Sequence, residues 1–191
     1  MLSALILAAV LSGVATPPLE EVKSTVESIK QIVSNKALSK EKKNSLIHKL
    51  IVGRVDFDEM GKRALGRHWK DRTGAERKEY LDVFAKFIEV FYRNRVFNSV
   101  EFINSVAISY KEKRDGEFTE VEVMVTAPNG EKYSFVLKLH LAQGHWMAYD
   151  FVIEDVSVVQ NYRSQFDRII EREGFASLLK RLREKIMELD K

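Results

Sequence analysis

The chain contains no cysteine, which excludes a disulfide framework, thiolate-held metal and thiol nucleophiles together. It has only three prolines, and no repeat, linker or low-complexity segment divides it. Charge of one sign is scarce as well. The 31 basic and 28 acidic residues leave an excess of only +3, and the two signs are interspersed, which argues against a nucleic-acid partner. After the N-terminus no apolar run approaches the ~20 residues that a membrane-spanning helix needs. Catalytic signatures are missing too: no Gly-x-Ser-x-Gly elbow, no phosphate-cradling glycine loop and no dinucleotide fingerprint. No two of His48, His68, His140 and His145 stand four apart, as the ligands of a zincin helix do. Nothing in the chain asks for an enzyme, a metal or a cofactor.

What is present suits one domain. A chain of 191 residues, 45% hydrophobic and 31% charged, is large enough to bury its own core. Residues 1–15 carry no charged side chain and are Leu-rich from Leu2 to Leu11. That stretch matches the h-region of a secretory signal, with Gly13-Val14-Ala15 as small residues before a cleavage point, although the n-region lacks Lys or Arg. The reading is therefore a signal peptide over 1–15 and a single exported domain over 16–191.

Helical periodicity then dominates. Leu19, Val22, Val26, Ile29 and Val33 mark a first amphipathic helix. Ser39 is placed to cap a second over residues 40–52, and Asp56 with Glu59 a short third ending near Gly66. Thr73 and Glu76 form a capping-box pair ahead of a long helix lined by Tyr80, Leu81, Phe84, Phe87, Ile88, Phe91 and Tyr92.

From Ser105 to Ile153 the period changes to two. An Asp115-Gly116 turn sets Val106, Ile108 and Tyr110 opposite Val125, Val123 and Val121. For Pro128-Asn129-Gly130, a three-residue loop with Gly130 left-handed sets those valines opposite Tyr133, Phe135 and Leu137. A two-residue turn would slip the register by one and put Phe135 opposite Met124, mixing the faces. Continuing through Gln143-Gly144-His145 sets Met147, Tyr149, Phe151 and Ile153 opposite Leu141, Leu139, Leu137 and Phe135. The result is a four-stranded antiparallel meander with one apolar face. On its polar face His140 and His145 lie near each other, and Asp150 faces Lys138 with Glu120 beyond, a cross-strand ion-pair row. Ser157 caps a further helix carrying Tyr162 and Phe166, Gly174 ends it, and a last helix completes the chain. The fold class is α+β, with N- and C-terminal helices packed around one sheet face.

An unusual amount of apolar side chain converges on one space. The sheet contributes Val106, Ile108, Val123, Val125, Phe135, Leu137, Tyr149 and Phe151; the helices contribute Phe84, Phe87, Phe91, Tyr162 and Phe166. Periodicity alone does not tell a filled interior from a hollow one.

Gly66-Arg67-His68-Trp69, followed by the aromatic helix through Phe91-Tyr92, resembles the MlaC family, also called the toluene-tolerance auxiliary family. So do Trp146, Tyr149-Asp150, Val156-Ser157, Asn161-Tyr162-Arg163-Ser164-Gln165-Phe166, Gly174 and Leu178-Leu179, over roughly residues 19–188. One departure is Asp155, where a glycine would be expected before Val-Ser, in the turn into the helix. The resemblance implies a periplasmic phospholipid carrier with acyl chains in a deep apolar cavity, and the converging apolar residues set out above from the register are the candidates to line it. It also implies partners: phospholipid, an inner-membrane lipid-transport complex and an outer-membrane lipoprotein complex. Two acyl chains, about 30 methylenes at ~0.8 kcal/mol each, cost ~20–25 kcal/mol in water, so a carrier must offer comparable apolar burial. The alternative is a small-molecule enzyme on a similar cone-shaped sheet. It would need a titratable group inside, where this register supplies only tyrosines. A protein-interaction module ranks third.

Overall fold

The computed structural model describes residues 16–100 and 102–190, apart from the side chains of 94–99. The expected signal peptide at 1–15 lies outside the described residues. Among the described residues, six α-helices, one 3-10 turn and one sheet occur in the expected order: α1 (Pro18–Ser34), α2 (Lys40–Val52), α3 (Phe57–Leu65), the 3-10 turn (Gly66–Trp69) and α4 (Gly74–Val100). Then come β1 (Ala107–Asp115), β2 (Phe118–Thr126), β3 (Lys132–Ala142), β4 (His145–Ile153), β5 (Val156–Ser157), α5 (Val158–Glu173) and α6 (Phe175–Leu189).

Local chemistry sets the helix ends. Ser39 accepts from the Lys42 amide and Asp56 from the Glu59 amide, the latter at 2.9 Å. Thr73 and Glu76 cap each other's amides, at 2.8 and 3.2 Å, which is the reciprocal pattern of a capping box. Ser157 accepts from the Gln160 amide at 3.0 Å. Gly61, inside α3, permits close helix packing: a Cβ there would meet Leu81 and Phe84 side chains at 2.9 Å. The Tyr80 hydroxyl crosses the same contact to donate to the Gly61 carbonyl at 2.9 Å.

The sheet is an antiparallel meander in the order β1-β2-β3-β4-β5. It has five strands, not four, because Val156 and Ser157 pair back onto Ile153 and Val152. The β2–β3 register is the expected one, with Val123 opposite Phe135 and Val125 opposite Tyr133. Gly130 closes that loop at φ 87. Two registers differ. Asp115 pairs with Phe118, so Gly116-Glu117, not Asp115-Gly116, forms the first turn; Ile108 then faces Val125 and Tyr110 faces Val123. The shift is two residues, so the faces are kept, but Val106 falls outside β1. The second difference is a bulge between Lys138 and Leu139: Leu139 pairs with Ala148 rather than Tyr149. A bulge inserts one residue and re-aims the side chains beyond it.

The turn from β4 to β5 explains the Asp155 departure. Glu154 and Asp155 stand at φ 49 and φ 63, the two left-handed positions of a two-residue hairpin. Asp tolerates this region better than most residues, but glycine carries no Cβ penalty there. Asp155→Gly is expected to raise stability by roughly 0.5–1 kcal/mol in denaturant unfolding. A loss of stability would show that Asp155 has a compensating role.

Candidate functional site

The apolar side chains form two bodies rather than one. The helical body is centred on Met60, Tyr80, Phe84, Phe166 and Leu178, all almost fully buried. Its rings interlock: Tyr80 stacks on Phe84 at 5.6 Å, Phe84 meets Phe166 edge-on at 6.2 Å, and Phe87 meets Tyr162 at 5.3 Å. The second body lies on the sheet, where Val121, Val123, Leu139 and Ala148 are buried under Val22 of α1. Phe151 packs against both.

Between and beside these bodies the apolar surface is only half covered. Ile108, Val125, Phe135 and Leu137 on the sheet, and Phe91 and Tyr92 on α4, are all partly exposed, and Tyr133 is 42% exposed. Ile153 packs on the helical body and pairs with Phe135, which pairs in turn with Val123. An apolar strip therefore runs from the helices across β4, β3 and β2. Water-facing apolar side chains in a row are a surface that an apolar ligand would complete.

Helix α1 covers one part of the sheet and is tied down by two carboxylates that the sequence pattern did not single out. Glu112 of β1 accepts from the Leu19 amide at 3.2 Å, satisfying a free amide in the first turn of α1. Glu21, itself buried, accepts from the Trp146 amide at 3.0 Å and lies 3.5 Å from Arg54. Burial raises the Tyr110 phenol above its ordinary range, and the charge of Glu27 adds to that. The half-buried strip thus offers apolar area, while Glu112 and Glu21 are engaged with backbone amides and the Tyr133 hydroxyl donates to Glu131 at 2.9 Å.

The expected site residues divide accordingly. Val123, Val125, Phe135, Leu137 and Phe151 share the apolar sheet face with Ile108, and Phe91 lies at the edge of the helical body. Phe84, Phe87, Tyr162 and Phe166 are buried members of the helical body. Val106 lies outside β1 and only half-buried. Tyr149 is displaced by the bulge to the opposite side of the sheet. There it meets Phe118 and His140 edge-on at 5.8 and 5.7 Å, with the Arg63 guanidinium 4.2 Å above its ring.

On that outer side the ion-pair row is shorter than expected. Lys138 reaches Glu120 at 3.5 Å, but Asp150 is buried and turns instead to α5. It accepts from the Ser157 hydroxyl at 2.7 Å and the Val159 amide at 3.0 Å. His140 and His145 take separate partners, Asp56 at 3.0 Å and Glu21 at 3.6 Å.

Comparison with known proteins adds three findings. The family model described as "MlaC protein" matches residues 22–184. The intermembrane phospholipid transport system binding protein MlaC of Haemophilus influenzae is 23% identical over 133 residues, covering 68% of this chain. The match spans 62% of that protein's length. Among solved structures, the phospholipid-binding protein from Ralstonia solanacearum, in complex with a phospholipid, superposes with a TM-score of 0.74. That comparison covers 92% of this chain and 100% of the other, at 24% identity, and it shows the α+β fold.

Proposed function

The chain belongs to the MlaC family, and from that premise we propose that it is a soluble periplasmic carrier that holds phospholipid acyl chains against its half-covered apolar strip. Ile108, Val123, Val125, Phe135, Leu137 and Phe151 form the sheet wall in this reading, and Phe91 belongs to the helical side. The carrier moves lipid between an inner-membrane lipid-transport complex and an outer-membrane lipoprotein complex. Residues 1–15 serve as the leader, and 16–191 are the working domain. No catalytic residue is required, because transfer makes and breaks no covalent bond.

The observation that carries this reading is the partly exposed strip itself. A soluble domain that leaves Val125, Tyr133 and Phe135 half-covered beside a finished helical core gives up apolar burial at roughly 25 cal/mol per Å². A bound acyl chain restores it. The Haemophilus relative's name and the phospholipid held by the Ralstonia protein support the same ligand class.

Protein purified from cell envelopes without detergent is expected to carry phospholipid, released by organic extraction and identified by mass spectrometry. The intact mass of the same sample is expected to begin at or near Thr16. Protein free of lipid across independent preparations overturns the carrier reading. An unprocessed N-terminus overturns the leader alone.

A further inference from the structure

The helices that turn aromatic rings inward turn charge outward. Between α3, the 3-10 turn and α5 lies a groove of about 760 Å³, lined by Glu59, Lys62, Arg63, Arg67, Lys70, Arg163 and Asp167 among others. Its five cations outnumber the two carboxylates among them, Glu59 and Asp167, with Glu171 at the edge beside Arg67. We propose that this groove is a docking site for an acidic segment of a protein partner.

Three features support the assignment beyond the count. The cations are unevenly neutralised. Lys62 and Arg63 share Glu59, at 3.4 and 2.8 Å, and Arg67 is held by Asp167 at 2.8 Å and by Glu171. Lys70 and Arg163 have no carboxylate partner among the described residues. Arg163 is spent only through Nε, which donates to the Arg63 carbonyl at 2.8 Å, so its two terminal nitrogens remain to receive an anion.

The groove is also built rather than incidental. Gly66 stands at φ 59, and a Cβ there would come within 3.3 Å of the Arg163 side chain, so this glycine leaves room for Arg163 to cross the end of α3. His68 bonds Asp167 at 2.7 Å, and that bond, followed by the charge of Arg67, holds the Asp167 carboxyl below its usual range. Arg77 donates to the Trp69 and Lys70 carbonyls at 3.1 and 3.2 Å, pinning the 3-10 turn to α4.

The shape selects the class of partner. The groove is concave and includes Leu65 and Trp69, which suits a projecting acidic segment with apolar contacts better than a flat membrane. It lies on the outer faces of α3 and α5, whereas Tyr162 and Phe166 of α5 point into the helical body. A partner could therefore dock without entering the apolar strip. The proposal rests on these charges and does not depend on the lipid reading.

The test is anisotropy with a fluorescein-labelled hexaglutamate peptide, run beside co-sedimentation with vesicles containing anionic phospholipid. The full chain is expected to bind the peptide, and added salt is expected to weaken binding. Lys62→Glu/Lys70→Glu, at two exposed positions, is expected to weaken it at least tenfold with an unchanged melting temperature. Arg163→Gln is expected to weaken it in the same direction. Lys111→Glu/Lys113→Glu, an equal charge change on β1, is expected to have no effect. Failure to bind the peptide, or equal losses in the groove and β1 variants, overturns the proposal. So does groove-dependent binding to the vesicles with none to the peptide, which would assign the groove to a membrane.

Discussion

Asp150→Ala is expected to lower stability by about 3 kcal/mol, more than any single substitution in the exposed ion pairs of this chain. The carboxylate has two jobs at the start of α5. It accepts from the Val159 amide and from the Ser157 hydroxyl, whose oxygen in turn accepts from the Gln160 amide. Two otherwise free amides of the helix N-terminus are thus satisfied by one linked pair. Removing the carboxylate leaves the buried Val159 amide without an acceptor, at roughly 1–3 kcal/mol. It also removes a negative charge from the positive end of the helix, worth up to ~2 kcal/mol where partly buried. Asp150→Asn keeps one acceptor oxygen and is expected to lose about half as much. Glu120→Ala, at the partly exposed Lys138 pair, is expected to cost less than ~1 kcal/mol. Urea unfolding of the three variants reads the order directly. Equal small losses for Asp150→Ala and Glu120→Ala would show that α5 is not held through Asp150.

The contrast between Asp150 and Ser157 marks where sequence patterns stop informing. Ser157 is legible as a cap because its partner is three residues away. Asp150 is not, because its partners come near only once β4 and β5 have paired. The same division holds in the sheet. At the β2–β3 turn, a wrong choice would have exchanged the two faces of a strand, so the hydrophobic pattern selected the correct register. At the β1–β2 turn the competing registers differ by two residues, and both bury the same residue types. Only the turn decides, and there Gly116 takes the first turn position at φ 61. The bulge beside Tyr149 was hidden for a related reason. Apolar alternation continues through Met147, Tyr149 and Phe151, so nothing in the pattern reports the extra residue. Glu21 and Glu112 read as ordinary charges on α1 and β1. Their role comes from α1 lying across the sheet, a long-range packing choice. The apolar content of the interior was legible, but its division into a closed helical body and a half-open strip was not. Phe84 and Phe135 look alike in sequence, yet the first is fully buried and the second is half-covered.

That difference makes the strip testable by filling it. Val125→Trp is expected to leave stability within ~1 kcal/mol of the parent while removing most of the bound phospholipid. Val125 is half-buried and lies between Ile108 and Tyr133, both partly exposed or more. An indole added there extends over surface that the protein itself leaves open, so it meets little steric resistance and occupies the space of acyl methylenes. Val121→Trp provides the opposite case further along the same face of the same strand. Val121 is fully buried beneath α1, and a closed site answers the added ring with displaced neighbours and a loss of roughly 1–3 kcal/mol or more. The pair separates a hollow from a core because the chemistry of the change is identical and only the local space differs. Thermal unfolding and mass spectrometry of extracted lipid are measured on both. If Val125→Trp is destabilised as strongly as Val121→Trp, the strip is closed in solution. If Val125→Trp folds normally and still carries lipid in full, the acyl chains lie elsewhere than along β2 and β3.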